Sequence, residues 1–369
     1  KGSSIDLGAG DNVLRLEFAQ LNKDATVNGG EGTDVLVFTD AATFTSANAG
    51  LNAVKGFEVL GVTGNGITLT VDSTKVDFSD FLVSDSGKIA LTNAQDNDTV
   101  TFEAGTSADN NITMTARNTV LDLNLAGDDK AVADVSATVD GATTLNISSI
   151  GLLEEKANDL TADNNVLNLI GDNAKLNLTG DQDLTLTLTG TSKGFTVDAT
   201  GFEVKLDVTG SANQDTIKLG AESGTVTASA GADQITFGAG ADAFVASTAA
   251  GAAAVNMSTI AGFTSGTDKI LTDAGASTAG TTANVHITSN AVNNLETNLL
   301  DALTAALDAG KDAFTANNAY VVELTGTLAG TYVVLEDGSN TSSVDATDTV
   351  IKLAGVHAAD IAVGDTLFN

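Results

Sequence analysis

The chain has 369 residues, 42% of them hydrophobic, with thirty-eight glycines and no cysteine, proline or tryptophan. A buried core can form, but a disulfide framework or thiolate metal site cannot. Forty-eight acidic side chains against sixteen basic ones give a net charge of −32, which repels nucleic acid and anionic membranes and favours cations.

Two glycine turns open the chain. Gly29, Gly30, Glu31, Gly32, Thr33 and Asp34 lead into the apolar run Val35, Leu36, Val37. LGAGDNVLR at 7–15 is a degenerate version, with Asp11 followed by Asn12 in the place that Asp34 takes. Asn12 and Asp34 are 22 residues apart, so they are expected on adjacent coils with one cation between them, and Asp11 and the turn carbonyls near Gly30 and Gly32 are further candidates for the site. Further on, NDTVTF (97–102, containing Asp98), ADNNI (108–112), ADNNVLNL (162–169) and ATDTVIKL (346–353) are looser relatives. Each taken singly reads as an Asp or Asn turn entering a strand; of these, Asp98 is kept as a metal-ligand candidate.

The middle of the chain alternates apolar and polar residues: LDLNL at 121–125, LNI at 145–147, LNL at 167–169, LTLTL at 184–188 and KLDV at 205–208. Polar corners such as GDN (171–173) and GDQD (180–183) separate them, and the centres fall about 18 to 23 residues apart. Period two closed by turns predicts strands. Strands so regularly spaced suit a sandwich or a β-solenoid. Threonine and asparagine at matching positions favour the solenoid, where like side chains ladder between coils.

From 215 the period becomes nine. Asp215, Gly224, Asp233 and Asp242 are successive ninth residues, and Ile217, Val226, Ile235 and Phe244 each follow two places later. Six residues form a glycine-rich turn that exposes carbonyl oxygens; three form a strand with its apolar residue inward. Two nonapeptides close one coil, which stacks Asp215 over Asp233 and Gly224 over Asp242. Calcium takes six to eight oxygens, so the pattern predicts metal ligands at Asp215, Gly231 and Asp233, with a weaker site opposite at Gly240 and Asp242. Asp268, in STIAGFTSGTDKILT (258–272), is a further weak candidate.

In AVNNLETNLLDALTAALDAG (291–310) apolar residues recur at three- and four-residue steps, predicting a helix over 291–309 that Gly310 ends. YVVEL (320–324) and TYVVLEDG (331–338) predict a hairpin, and VIKLAG (350–355) a further strand. The expected organisation is a solenoid over 1–209, a nonapeptide β-roll over 210–250 and a capping unit over 251–369.

The nonapeptides resemble the calcium-binding repeats of RTX-type secreted proteins. The wider chain resembles the C-terminal lattice regions of RTX-related bacterial surface-layer (S-layer) proteins, through NGGEGTDVLVF (28–38), KGFEVLGVTG (55–64), ATTLNIS (142–148) and YVVLEDG…DTVIKLAG (332–355). The fold expected is therefore all-β, a right-handed parallel β-solenoid or β-roll with RTX-type calcium turns, plus a C-terminal β unit carrying one α-helix. The resemblance implies a self-assembling structural protein of the cell surface, secreted without an N-terminal signal peptide and dependent on several Ca2+ ions. Its partners would be copies of itself in a two-dimensional lattice and, through a region outside this chain, cell-surface polysaccharide. No nucleic acid and no membrane insertion are expected. The opening on Lys1 reads as a fragment. Asn213 and Glu222 stand where the repeat calls for glycine, and Gly262 precedes Phe263 where RTX chains often carry Asp.

No catalytic residues are expected. His286 and His357 do not form H-E-x-x-H, Gly262-Phe263-Thr264-Ser265-Gly266 places Thr where a nucleophilic Ser belongs, and Gly87-Lys88 is followed by Ile. The acid pairs Asp128/Asp129, Glu154/Glu155 and Asp181/Asp183 sit in polar corners, and fourteen Phe and two Tyr leave little aromatic surface for stacking sugars. Two alternatives to a surface layer remain: a calcium-rigidified adhesin, and a secretion or folding module of a larger protein.

Overall fold

The computed structural model describes residues 4–21, 25–46, 51, 54–103, 111–116, 119–127, 133–151, 164–172, 175–246, 257–272, 285–294, 299–310, 319–335, 343–345 and 348–361. Asp128, Asp129, Glu154, Glu155 and parts of the 108–112, 162–169 and 346–353 segments lie outside them. The chain forms two compact units, Lys1–Thr191 and Ser192–Asn369. No helix among the described residues is long and apolar enough to cross a membrane.

In the first unit the chain alternates between two parallel ladders. One holds Val13–Leu16, Val35–Phe38, Val59–Thr63, Asp80–Ser84, Asp98–Glu103, Val120–Gly127, Thr144–Gly151 and Lys175–Gly180, in sequence order. The other holds Ala42–Phe44, Thr68–Asp72, Lys88–Ala94, Asn111–Ala116, Asp134–Asp140, Asn165–Gly171 and Leu184–Gly190. A small third sheet joins Ser4–Asp6, Thr26–Asn28 and Val54–Lys55. Each strand pairs with the strand one coil later, in parallel, as in Val13↔Val35, Leu145↔Leu176 and Leu167↔Leu186. Hairpin turns cannot make such pairs, because parallel neighbours need a full crossover between them. The architecture is a β-solenoid.

Period two determines what is buried. Leu121, Leu123, Leu125, Leu145, Ile147, Leu167, Leu169, Leu184 and Leu186 are all buried, while the residues between them stay half-exposed. At the N-terminal end Phe18, Phe38 and Phe44 pack with centroids 5.3–5.8 Å apart. The expected side-chain ladders are present: Asn177 Nδ2 donates to Asn146 Oδ1 at 2.9 Å, and Asn146 Nδ2 donates to Asp122 Oδ1 at 2.8 Å.

Among the polar side chains that enter the core, Asn165 joins the two ladders. Asn165 is fully buried; its Oδ1 accepts from Ala133 N at 3.0 Å, and its Nδ2 donates to Leu125 O at 3.2 Å and Ser149 Oγ at 2.9 Å. It ties together strands of both ladders. Asn165→Ala would leave those groups buried without partners, at about 1–3 kcal/mol for an unsatisfied group. Chemical denaturation should show a loss of about 3 kcal/mol, against under 1 kcal/mol for half-buried Asn12→Ala in chelator.

In the second unit the coil shortens to 18 residues. Leu206↔Gly224, Thr216↔Gln234 and Val226↔Phe244 pair in parallel, and Ile217 stacks on Ile235. Ile217, Val226, Ile235 and Phe244 are each at most 2% exposed, so the phase read from the nonapeptides holds. The ladders continue past residue 250 through Thr259–Ala261 and Lys269–Thr272. Thr349–Ala354 then pairs parallel to Thr259–Ala261 and antiparallel to Gly330–Leu335. Gly330–Leu335 forms the expected hairpin with Ala319–Gly326.

The helix is shorter than the 291–309 expected. It runs Leu299–Gly310, and residues up to Asn294 finish the strand Val285–Asn294, which pairs parallel to Ala319–Gly326. Asn and β-branched residues are weak helix formers, and pairing with a neighbouring strand outweighs the periodicity there. Leu299, Ala302, Leu303, Ala306 and Leu307 pack on Tyr320, Val322, Leu324, Tyr332, Val334 and Val350. The helix therefore covers a face of these strands.

Candidate metal centre

Stacking of the glycine turns is the local event that builds the centre. Ala9 and Glu31 form a parallel bridge; Glu31 N donates to Gly8 O at 3.0 Å and Gly10 N to Glu31 O at 2.7 Å. A Cβ on Gly30 would collide with Gly8 O, and one on Gly32 would lie 2.7 Å from Gly10 O and 2.9 Å from Asp11 Oδ1. Gly30 also has φ +119°, a conformation that side-chain-bearing residues avoid. Close stacking brings turn carbonyls together with the carboxylate that ends the turn.

Asp34 is fully buried. Its Oδ1 accepts from Asn12 N at 2.8 Å, and its own N–H donates to Glu58 Oε2 at 2.7 Å. Asp34 Oδ2 is buried and has no hydrogen-bond partner. A Cβ on Gly29 would sit 2.7 Å from Asp34 Oδ2 and collide with Gly56 O, so this oxygen faces a cradle that only glycine leaves open. Asp11 Oδ1 accepts from Thr33 N at 2.8 Å and holds the outer rim.

The second unit repeats the arrangement in two columns. Asp215 N donates to Asp233 Oδ1 at 2.9 Å; Gly224 N donates to Asp242 Oδ1 and Asp242 N to Asp268 Oδ1, each at 2.9 Å. The expected stacking of Asp215 on Asp233 and Gly224 on Asp242 is thus observed. The second carboxylate oxygens differ in their use. Those of Asp215, Asp242 and Asp268 accept from Ser211 N, Gly238 N and Thr264 N, at 2.6, 2.7 and 2.7 Å. Asp233 Oδ2 takes part in no hydrogen bond among the described residues. Gly231 and Gly240 lie so close to the carbonyls of Asn213 and Glu222 that a Cβ would fall within 2.7 Å of either oxygen.

Burial sets the electrostatics. It pushes the carboxyls of Asp215 and Asp242 above the usual range, opposed by the N–H groups they accept. Asp233 is pushed up to about 7, by burial first and then by the negative charge of Asp215, with only the Asp215 N–H opposing. A carboxylate in this position gains from a bound cation.

Asp98 stands apart. It is buried, but its Oδ2 caps its own turn through Gln95 N at 2.8 Å, and that turn, Gln95, Asp96, Asn97, contains no glycine. Burial raises its carboxyl too, offset by Ser73 and Gln95. Sequence reasoning misses Glu58, which continues the Asn12–Asp34 column. Asp268, expected as a weak candidate, adds a second carboxylate to the Asp242 column. Each precedes a buried apolar residue by two places, Leu60 and Ile270, the phase that marks Asp34 and Asp233. Among the described residues no three acidic or imidazole side chains converge; any cation here is held by one or two carboxylates plus carbonyls. The residues present fit calcium on that basis: buried Asp34 Oδ2 lacks a partner, and the cradle beside it is walled by a carbonyl. His357 is exposed, with Nδ1 2.9 Å from Glu323 Oε1.

Stacking and glycine conformation can be separated experimentally. Gly10 has φ +102° with nothing within 4 Å of a Cβ, whereas Gly30 would also strike Gly8 O. Gly10→Ala should cost about 1–2 kcal/mol from φ alone. Gly30→Ala should cost at least about 2 kcal/mol more, because backbone must move. Equal melting temperatures for the two variants would mean the turns do not stack as described.

Compared with known proteins, the chain matches no family model and no curated sequence.

Proposed function

We propose that this chain is a structural, self-assembling surface-layer protein whose coils are fixed by calcium bound at the stacked glycine turns. The observation that carries the reading is the buried, unpartnered Asp34 Oδ2 facing a cradle of turn carbonyl and glycine; Asp233 Oδ2 also takes part in no hydrogen bond among the described residues. Calcium would be held by Asp34 with turn carbonyls in the first unit, and by Asp233 with Asp215 in the second. It would supply positive charge to carboxylates that burial otherwise penalises, in a chain of net charge −32.

The assembly half of the proposal rests on the surface-layer resemblance of the sequence, with heterologous contacts between copies that extend without closing. An extracellular location, export without a signal peptide and RTX kinship belong to this proposal. The test is a calcium titration followed by light scattering and negative-stain microscopy. Monomers in chelator and sheets or large oligomers at about millimolar calcium, the range of extracellular sites, are expected. A protein that binds calcium yet stays monomeric throughout would reject the surface layer and favour the adhesin or module.

A further inference from the structure

The outer face of the first unit's longer ladder changes character along its length. Strand register places Val13, Val35, Val59, Asp80, Thr99, Asp122, Asn146 and Asn177 in one row. A second row runs beside it through Thr101, Asn124, Ser148 and Thr179. The first three strands carry valine in the first row and the fourth carries Asp80; the last four carry amides, hydroxyls and one carboxylate. Asn and Asp are poor strand formers, so these positions give up local propensity that valine supplies a few coils away. Between the two rows lies a shallow groove of about 270 Å³, lined by Thr99, Asp122, Asn124, Asn146, Ser148 and Thr179 together with Ile147.

We propose that this groove binds a neutral, hydroxyl-rich saccharide chain. Its polar groups are held in advance. Asn146 is fixed from both sides, donating to Asp122 and accepting from Asn177, and Asn124 Nδ2 is held by Thr101 Oγ1 at 3.3 Å. A fixed amide that uses one donor and one acceptor in the ladder keeps its other donor and acceptor for a ligand. Neighbouring groups in a row repeat at the inter-strand distance of about 4.8 Å, which offers a polymer of hydroxyl-bearing rings a series of equivalent contacts. No lysine or arginine lines the groove and Asp122 is its only charged group, so phosphate, sulfate and uronate are disfavoured. The polar lining equally excludes an acyl chain. No aromatic side chain is present for stacking, so binding rests on hydrogen bonds; each site is weak and a polymer gains by multivalency. This site stands independently of calcium at the turns and of lattice assembly.

The experiment is affinity electrophoresis of the full chain, in calcium, through gels cast with dextran, mannan, galactomannan or alginate. Retarded migration is expected in at least one neutral gel and none in alginate. Ser148→Leu and Thr179→Leu fill the groove without touching the amide ladder and should abolish the retardation. Asn146→Ala should weaken it at least tenfold. Thr187→Leu, on the outer face of the other ladder, should leave it unchanged, and circular dichroism of all four variants reports folding. No retardation in any neutral gel, retardation indifferent to Ser148→Leu, or preference for alginate would each overturn the proposal.

Discussion

In chelator the protein is expected to melt at a markedly lower temperature at pH 8 than at pH 5, and calcium is expected to abolish most of that difference. Asp233 drives the expectation. Its carboxyl is raised from 3.8 to about 7 in the folded protein, so the folded state holds a proton that the unfolded state has released. A group of this kind contributes stability that is complete below about pH 4 and is lost as pH climbs towards 7. The shift corresponds to roughly 4 kcal/mol at most, or about 10 °C for a unit of this size. Asp215 and Asp242 are raised in the same direction and add to the trend. Calcium at neutral pH replaces the proton as counter-charge, so its stabilising effect should grow over the same interval and fade at pH 5, where protons compete. Differential scanning calorimetry at pH 5, 6, 7 and 8, with and without calcium, reads both effects. A metal-free melting temperature that rises from pH 5 to pH 8, or a calcium increment independent of pH, would show that the buried carboxyls are not what calcium relieves.

The parts of the fold that the sequence discloses are those governed by short periods. Alternation in LTLTL and LNL fixes which side of a strand is buried, and an uninterrupted period of nine fixes that Asp215 lies on Asp233. Wherever coil length varies, legibility fails. Asp34 to Glu58 spans 24 residues and Asp242 to Asp268 spans 26, so counting by 18 or 22 passes over both partners. Asn146 and Asn177 are 31 apart; no constant period aligns them, and the polar groove they help to form exists only once strand register is known. Asn165 illustrates a different limit. In the sequence it is one more asparagine ahead of an alternating strand, and only the three-dimensional convergence of Ala133, Leu125 and Ser149 makes it a buried node. The helix falls short of its sequence pattern for a related reason: a three- and four-residue recurrence is visible locally, but the strand that claims Val285–Asn294 is specified by a partner some thirty residues on.

Asp233→Asn is expected to change the sign of its effect with calcium. In chelator at pH 8 the variant should melt several degrees above the parent. An asparagine Oδ1 can still accept the Asp215 N–H, now 2.9 Å from Asp233 Oδ1, while the cost of burying an ionised carboxylate beside Asp215 disappears. In millimolar calcium the order should reverse. The parent gains a divalent ion against two carboxylates, whereas the variant offers one carboxylate and a neutral amide, and hard cations bind anionic oxygen more strongly. Asp34→Asn should not show as large a gain in chelator, because the amide nitrogen or oxygen placed where Asp34 Oδ2 lacks a partner remains buried. Because coils interact with their nearest neighbours, the change should stay within the second unit, where amide hydrogen exchange can follow the Thr216–Lys218 and Gln234–Thr236 strands separately from the first. A purely structural carboxylate would make Asp233→Asn destabilising in both buffers, and a carboxylate irrelevant to metal would make it stabilising in both. Only a cation ligand whose charge burial opposes gives a crossing, and the crossing point along the calcium titration measures how tightly the second unit holds its ion.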